Sequence, residues 1–465
     1  MGQKKGPQKK KAGGKKNFGK PQGKKPTPAP SAETTSATTG EAAAAAATPA
    51  VAATPASTVG LRTFSAPAPD YKTVLTVPEG GWAAGEEQED KTRRPEAERA
   101  EARAAAAARA HGHSHGHGES CGSDGVNDSL SRGDPWSAEI GGMTFQARLE
   151  AARRAAAVHR GVRRHVQESL LHVGSDLNDV AEELEATTKA MVDAEGLKRG
   201  IAFPTGLSLN SCAAHDSPNP RDAPRRLRFS DVLKVDFGVH VDGVIIDCAF
   251  TWAPDPKWEQ LLAGVQAATE TGIREAGVDA RLCDIGAAIQ ETMESYEVNG
   301  EAIKPIRNLN GHSIEPYLIH AGKSVPSVKG TSESVIMEEG EFFAIETFGS
   351  VGGRGEIHEL EGDAACSHYM REFNPPRVPL RLPASKDLLR RINQNFGSLA
   401  FSKRQLERDA GASRYLMPLR ELVASGVVES YPPLMEKSGA RVAQFEHTIA
   451  LKPTGKEVLS RGEDF

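Results

Sequence analysis

The sequence predicts an α+β fold, and three observations support this prediction. Two runs rich in Val, Ile and Phe flank Asp242-Gly243 within Val232–Trp252, which is a strong signal for a β-hairpin. Segments with helical periodicity lie on both sides of this hairpin, and further strand-like runs follow it. No tandem repeat of fixed period is present. Hairpins alternating with pairs of helices are typical of an α+β domain.

Length and composition narrow the class of protein. The 465 residues suffice for one large domain or for two to three smaller ones. No run of 18 apolar residues is present, so we expect no transmembrane helix, and no apolar stretch follows the first charges as in a secretory signal. The five cysteines are scattered without a CxxC spacing. This pattern favours reduced thiols and a cytoplasmic protein.

Residues 1–135 are predicted to be a disordered, low-complexity arm. The net charge of −5 conceals a strongly basic start, because residues 1–32 hold ten Lys and no Asp or Glu. Such stretches bury too little apolar surface to offset the entropy of the chain. The basic start predicts an electrostatic contact with RNA or a ribosome surface, and a solubilising tail is the alternative.

The folded part is expected to begin near Trp136 and to span residues 136–465. Ser175 and Asp176 are candidate caps for the second helix. Five arginines of the first helix are expected to form a solvated face: Arg153, Arg154, Arg160, Arg163 and Arg164. In chain order we expect helices at Phe145–His172 and Leu177–Glu195, the hairpin, helices at Pro256–Ala276 and Asp284–Tyr296, a strand at Glu341–Ser350, helical segments within 383–426, and a last strand at Arg441–Lys452.

The predicted hairpin places two acids on one face. With Asp242-Gly243 as a two-residue turn, Gly238 faces Asp247 and Asp236 faces Ala249. One face is then entirely apolar and belongs to a core, whereas the other carries Asp236 and Asp247 as diagonal neighbours, about 7–8 Å apart at Cα. Two adjacent carboxylates repel each other unless a cation lies between them. The alternative is two solvated aspartates on an open sheet face.

Two glutamates and a histidine extend this candidate site. Glu346 and Glu446 each lie in the middle of an apolar strand, where an unpaired Glu is rare. Each is therefore expected to be salt-bridged, at a sheet edge, or bound to a metal. His312 lies in Asn310-Gly311-His312-Ser313, and a lone histidine is more often structural than a ligand.

Taken together, these residues have the composition of a dinuclear metal site. Four carboxylates and one imidazole suffice for two divalent ions, and this oxygen-rich set favours Mn, Fe or Co over a thiolate-type zinc site. Such ions make hydroxide available near neutral pH and polarise a carbonyl, which suits the hydrolysis of an amide. The set comprises Asp236, Asp247, His312, Glu346 and Glu446.

Several motifs resemble those of the type 2 methionine aminopeptidases, over residues from about 137 to 465. They are IAFPTGLSLNSCAAH, KVDFGVHVDGVIIDCAF, KPIRNLNGHSI, IHAGKSVP, FAIETFGS, CSHYM and AQFEHT. The resemblance implies the pita-bread (creatinase/aminopeptidase) fold around two divalent metal ions, which could be Mn, Fe, Co or Zn. It also implies a hydrolase, expected to be a monomer, that removes the initiator methionine from nascent polypeptide N-termini and favours a small second residue.

The resemblance also implies roles for individual residues. The five residues named above match the family's metal ligands, and Glu346 matches its general base. His215 and His320 match residues that contact the substrate or the tetrahedral intermediate. The methionine pocket would include His368, Phe203, Ile319 and Tyr431. Residues 366–433 match a helical, winged-helix-like insertion that distinguishes type 2 from type 1.

One departure from the family's pattern lies beside the catalytic-type histidine. Asp216 directly follows His215 at a position where relatives commonly have an aromatic residue. A carboxylate beside an imidazole favours its protonated form, so we expect Asp216 to raise the pKa of His215.

Three other interpretations of these motifs are possible. The first is a sister peptidase of the same fold that cleaves X-Pro bonds, and the helical insertion counts against it. The second is a non-enzymatic binder of RNA or protein that has lost its ligands, and the intact five-residue set counts against it. The third, a kinase containing Asp236-Phe237-Gly238, lacks a glycine-rich phosphate loop and a His-Arg-Asp loop before this motif.

Overall fold

The computed structural model describes residues 85–88, 143–330, 335–362 and 365–465. The lysine-rich start and Trp136 lie outside these ranges, so the expectations for them remain predictions. Within the described ranges, no helix is both long and apolar enough to cross a bilayer. The four cysteines in this part of the chain are all unpaired, as the sequence indicates.

The predicted helices are present, with shifted ends. The first expected helix ends earlier than its periodicity suggests, because a π-helical turn at Val166–Leu170 follows it. Asp176 caps the second helix, as predicted, and accepts a hydrogen bond from the backbone N–H of Asn178 at 3.0 Å. The helices are α1 (Phe145–His165), α2 (Leu177–Val192), α3 (Glu259–Glu275), α4 (Leu282–Glu294), α5 (Pro383–Asn395), α6 (Lys403–Arg408) and α7 (Leu416–Ala424).

The strands form one large sheet and several small ones. The large sheet has the order β1-β18-β17-β11-β9-β10, and β8 also pairs with β11. The three-stranded sheets have the orders β2-β4-β5, β12-β16-β3 and β14-β13-β15, and β6 pairs with β7. The strands are β1 (Glu86–Gln88), β2 (Arg199–Leu209), β3 (Cys212–Ala214), β4 (Leu233–Val241), β5 (Val244–Trp252), β6 (Glu297–Val298), β7 (Glu301–Ala302), β8 (Lys304–Pro305), β9 (Gly311–Ile314), β10 (Ser324–Val325), β11 (Phe342–Val351), β12 (His358–Glu359), β13 (His368–Arg371), β14 (Phe401–Ser402), β15 (Val428–Tyr431), β16 (Leu434–Met435), β17 (Arg441–Lys452) and β18 (Gly455–Val458).

The hairpin β4–β5 has the predicted register. Gly238 pairs with Asp247, and Asp236 pairs with Ala249. The turn residues Asp242 and Gly243 have φ values of 50° and 78°, as a two-residue turn with positive φ at both positions requires. Helix α1 packs on both strands, and β17 packs against β5. Asp247 is buried and Asp236 is half-buried, so the alternative of two solvated aspartates is wrong.

Strands β11 and β17 pair over ten positions and place Glu346 directly opposite Glu446. On the other side of β11, β9 places His312 opposite Ala344. Strand β5 approaches β17 through side-chain contacts with the backbone. The hydroxyl of Thr448 accepts a hydrogen bond from the N–H of Asp247 at 2.8 Å and donates one to the Asp247 carbonyl at 2.6 Å. The hairpin and the large sheet thereby meet where their acids lie.

Residues 366–428 enclose an apolar core of their own. The small sheet β14-β13-β15 packs with α5, α6 and α7 around buried side chains that include Leu388, Ile392, Phe401, Leu406 and Leu422. Three short helices on a three-stranded sheet are the elements that a helical, winged-helix-like insertion would contain. Its boundaries at 366 and 433 stay a prediction.

One segment of the expected disordered arm departs from that prediction. Glu86–Gln88 pairs antiparallel with β18 as an edge strand, and the N–H of Gly85 donates to the buried carboxylate of Glu457 at 2.8 Å. Arg461 forms an ion pair with Glu86 at 2.7 Å. These three polar residues show no apolar pattern that would predict a strand. The strand is identified only from its contacts with cationic side chains in the structure.

The expectation of a solvated arginine face on α1 is also wrong for Arg163 and Arg153. Arg163 is fully buried, with its guanidinium 2.6 Å from both carboxylate oxygens of Asp464 and 4.4 Å from the centre of the Phe465 ring. Arg153 forms a two-point ion pair with Glu457. Segments at the other end of the sequence supply these partners, so helical periodicity alone does not reveal them.

Candidate metal centre

The five predicted ligands come from five strands, β4, β5, β9, β11 and β17, and converge on one site. The ligand atoms of Asp247, His312 and Glu446 all lie within 4.8 Å of one another. Nε2 of His312 lies 3.5 Å from a carboxylate oxygen of Asp247 and 3.8 Å from one of Glu346. Strand register explains the convergence, because alternate residues of paired strands point to one face.

Gln444 connects Asp236 to this group, and the sequence analysis did not identify it. Its Nε2 donates to carboxylate oxygens of Asp236 at 3.2 Å, Glu346 at 3.3 Å and Glu446 at 3.5 Å. Gln444 lies two residues before Glu446 on the same face of β17, and this spacing is the signal that could have revealed it. One amide therefore spans three of the four carboxylates.

Burial and mutual repulsion make these carboxylates costly to ionise together. Burial first, and then neighbouring carboxylates, raises the pKa of Asp236, Glu346 and Glu446 well above its ordinary value. Burial also raises the pKa of Asp247 to about 7. A cation among them would reverse this effect, because opposite charge favours the ionised form.

The donor set fits divalent metal ions. Among the described residues, Oδ1 of Asp236 and Oε1 of Glu446 are buried without a hydrogen-bond partner, so both are open to a cation. Burial lowers the pKa of His312 to about 4, which keeps the imidazole neutral, as a metal ligand must be. Carboxylate oxygens with a single imidazole suit hard or borderline divalent ions.

His215 lies beyond the end of β3, beside this centre, in a strained backbone conformation. Its φ is 63°, in the left-handed region that few non-glycine residues occupy. Burial, and then the charge of His320, lowers its pKa to about 4, so the ring is neutral at physiological pH. Its Nδ1 has no hydrogen-bond partner among the residues of the described ranges.

The expected effect of Asp216 on His215 is wrong. The carboxylate of Asp216 forms an ion pair with Arg225, with an Nη1–Oδ2 distance of 2.6 Å. Its charge is thereby balanced by Arg225, and the pKa of His215 is lowered rather than raised.

Aromatic rings connect His215 to the other residues predicted to contact a substrate. The ring centre of His215 lies 5.6 Å from that of His368 and 5.7 Å from that of Tyr431. His320 has an exposed side chain, and its ring lies 4.6 Å from that of His312 and 6.5 Å from that of Tyr431. These rings form a wall beside the carboxylates.

Each of the two remaining pocket candidates lies close to a proposed ligand. Phe203 packs directly on Gly238, where a Cβ would approach its ring to 2.2 Å, and Gly238 is the strand partner of Asp247. The backbone of Ile319 contacts the ring of His312. The structure thus places every predicted site residue around one centre, although their roles remain predictions.

Comparisons with known proteins identify a family. The model of metallopeptidase family M24 matches residues 150–368. A protein of Schizosaccharomyces pombe described as methionine aminopeptidase 2 is 56% identical over 317 residues, which are 67% of this chain and 72% of that protein. A methionine aminopeptidase 2 of Laccaria bicolor is 54% identical over 320 residues, which are 68% of this chain and 87% of that protein.

A solved structure extends the likeness to the fold. The structure of a thermophilic Arx1 superimposes with a TM-score of 0.58 at 18% sequence identity. The match covers 70% of this chain and 92% of that chain. At this identity the likeness concerns the fold alone.

Proposed function

Because this chain belongs to the methionine aminopeptidase 2 group of metallopeptidase family M24, we propose that Asp236, Asp247, His312, Glu346 and Glu446 hold two divalent metal ions. The protein has the family's pita-bread fold and is a metallo-aminopeptidase that removes the N-terminal methionine of polypeptide chains. The single observation that carries the proposal is the convergence of four carboxylates, two of them buried and two half-buried, on one neutral imidazole. The ions are Mn, Fe, Co or Zn.

The proposed chemistry assigns each group a task. Divalent ions in this site would supply hydroxide near neutral pH and polarise the first peptide carbonyl. Glu346 accepts a proton from the attacking water and returns it to the leaving amine. The neutral ring of His215 donates an N–H to the carbonyl oxygen as negative charge develops there.

His320 is proposed to bind the peptide beyond the bond that is cleaved. Its exposed ring lies between His312 and Tyr431, where the chain after the first residue would leave the site. The rings of His215, His320 and Tyr431 narrow this exit, which supports a preference for a small second residue. Peptides Met-Gly-Ser and Met-Leu-Ser test it, and we expect a higher kcat/KM for the first. Equal values would contradict the preference.

Metal stoichiometry tests the proposed ligand set. Equilibrium dialysis against Mn²⁺ should give two ions per wild-type chain, and Asp247→Asn should lose this binding together with methionine release. Asp176→Asn is the matched control, because this buried aspartate caps α2 and Asn caps a helix equally well. Two tightly bound ions in Asp247→Asn would refute the assignment.

The basic residues 1–32 are proposed to contact the ribosome or its RNA. Their ten lysines without a compensating acid support an electrostatic contact. A ribosome pull-down of the full chain and of a variant lacking residues 1–32 tests this at low and at high salt. We expect binding that salt weakens and that the deletion removes. Equal binding by both forms would favour a solubilising role. We also propose that the enzyme is a cytoplasmic monomer.

A further inference from the structure

Two loops beside the metal centre share an unusual backbone feature. His215 has a φ of 63°, and Tyr317, three residues before His320, has a φ of 58°. A non-glycine residue in the left-handed region costs about 1–3 kcal/mol and persists only where its surroundings hold it. Each of the two histidines expected to contact the substrate therefore lies in or near a strained loop.

A buried serine holds the carbonyl of each strained residue. The hydroxyl of Ser367 donates to the carbonyl of His215 at 3.3 Å and accepts the N–H of Ser217 at 3.2 Å, so it contacts both sides of the strained position. The same hydroxyl shares a hydrogen bond of 2.9 Å with Nδ1 of His368, the ring that lies beside His215. The hydroxyl of Ser398 donates to the carbonyl of Tyr317 at 2.8 Å. Ser367 and Ser398 are 0% and 3% exposed, so water does not compete for these bonds.

Both serines belong to the subdomain of residues 366–433, and a buried ion pair fixes this subdomain to the rest of the fold. Arg404 of α6 donates to the carboxylate of Glu185 in α2 at 2.5 Å, and Glu185 is fully buried. The same guanidinium donates to the hydroxyl of Ser217 at 3.0 Å and to the carbonyl of Pro218. The subdomain thus holds the His215 loop at three residues, His215, Ser217 and Pro218.

The rings that surround His215 come from the same subdomain. His368 and Tyr431 both lie within 5.7 Å of the His215 ring, measured between ring centres. The subdomain therefore encloses the side chain of His215 as well as its backbone. No described ligand candidate of the metal centre, by contrast, belongs to residues 366–433.

We propose that Ser367 and Ser398 are positioning residues, through which the subdomain holds His215 and His320 in the geometry that substrate binding requires. This inference rests on the proposed roles of those two histidines. The serines touch no substrate, and they act by keeping two loops in conformations that relax without them. Preorganised donors of this kind accelerate a reaction because no reorganisation is needed as charge develops.

The inference makes different predictions for the two serines. Ser367 acts through His215, which meets charge in the transition state, so Ser367→Ala should lower kcat roughly ten- to a hundredfold. Ser398 acts through the loop of His320, which holds the peptide, so Ser398→Ala should chiefly raise KM. The affinity for Mn²⁺ should stay unchanged in both. Ser385→Ala is the matched control, because its fully buried hydroxyl bonds residues of the subdomain, the carbonyl of Pro418 and the carboxylate of Glu421.

Double-mutant cycles on the full chain with Mn²⁺ test the coupling. Ser367→Ala should have little further effect in a His215→Ala background but should keep its effect in a His320→Ala background, and Ser398→Ala should show the reverse. Additive losses in all four double mutants, or losses that Ser385→Ala shares, would overturn the inference. Selective coupling of each serine to one histidine would show that the serine positions that histidine, because a general loss of stability would affect all variants alike.

A crystal structure of Ser367→Ala gives a readout that does not depend on activity. We expect residue 215 to leave the left-handed region and its ring to leave the position beside His368. An unchanged φ near 63° would overturn the inference even if turnover falls. A wild-type protein that releases no methionine would instead count against the proposed function, and the crystallographic result would still decide the role of Ser367.

Discussion

At the scale of single residues, the centre depends on an amide as well as on acids. Gln444 donates to Asp236, Glu346 and Glu446, and it does so with one nitrogen. Groups that orient metal ligands typically matter 10- to 100-fold for metal affinity. Gln444 is therefore expected to affect metal affinity through the three carboxylates that it orients.

Gln444→Leu is expected to weaken Mn²⁺ binding by roughly 10- to 100-fold, because the apolar side chain leaves three carboxylates without their shared donor. Isothermal titration of the metal-free protein measures this change. Gln290→Leu is the control, since Gln290 lies on α4 and bonds the backbone of Lys329 and the carboxylate of Glu294. Wild-type affinity in Gln444→Leu would show that the amide is dispensable.

Residue patterns in the sequence predict much of this site, and the reasons are physical. The turn Asp242-Gly243 sets the register of the hairpin, so the positions of Asp236 and Asp247 follow from counting. A glutamate in an apolar strand is costly unless it is paired, so the sequence identifies Glu346 and Glu446 as candidate site residues. A glutamine in the same strand is less costly to bury, so Gln444 is identified only by its hydrogen bonds to carboxylates of two different sheets.

At the scale of elements, the contact of β5 with β17 brings the two acidic groups together. The backbone of Asp247 exchanges two hydrogen bonds with the hydroxyl of Thr448, and the backbone of Gln444 exchanges two with the hydroxyl of Thr251. Two threonines thus replace a continuous strand ladder at this junction. These four bonds help to fix the position of the hairpin relative to the large sheet.

Thr448→Val should destabilise the metal-free protein by about 1–3 kcal/mol, because it leaves a buried N–H and a buried carbonyl of Asp247 unpaired. Urea unfolding followed by circular dichroism measures this loss. Thr188→Val is a suitable comparison, since the buried hydroxyl of Thr188 bonds only a carbonyl of its own helix. Equal losses in the two variants would contradict a special role for the β5–β17 junction.

Element boundaries were harder to predict than element types. Helical periodicity continues from α1 into Val166–Leu170, where the hydrogen bonding changes to a π-helical turn that periodicity does not distinguish. The pairing of Glu86–Gln88 with β18 depends on cations more than 360 residues away in sequence, such as Lys452, which lies 2.5 Å from Glu87. Contacts between residues so far apart in the sequence leave no pattern in the local sequence from which they could be predicted.

At the scale of the whole molecule, the two ends of the described chain support the sheet behind the metal centre. Arg163 of α1 binds Asp464, contacts the sulfur of Cys248 at 3.1 Å and lies against the ring of Phe465. Cys248 and Asp247 are neighbours on β5, so this cluster lies directly behind a proposed ligand. Periodicity in α1 predicted a solvated arginine face because nothing near it in sequence reveals these partners.

The ion pair of Arg163 with Asp464 predicts how stability depends on pH. The guanidinium holds the pKa of Asp464 below its ordinary value of 3.8, against the opposing effect of burial. The stabilisation is therefore complete above the unfolded-state pKa and is lost as pH falls through the lower, folded-state pKa. Asp464→Asn should be less stable than wild type at pH 7, and the difference should shrink below pH 3.8.

Thermal unfolding of both proteins between pH 7 and the acid limit of reversible folding measures this convergence. Asp387→Asn is the control, because its carboxylate pairs with Arg390 and Arg391 on an exposed helix face, where ion pairs contribute little. A stability difference for Asp464→Asn that stays constant through acid pH would contradict the assignment.

Methionine release by metal-free protein, titrated with Mn²⁺ or Co²⁺, tests the central claim that the converging carboxylates and His312 form the catalytic metal centre. Met-Ala-Ser and Ala-Pro-Ala are offered together, and free amino acids are measured. The account predicts that methionine alone is released, that release requires metal, and that it saturates as two ions bind per chain. Release without metal, or cleavage of Ala-Pro-Ala alone, would contradict it.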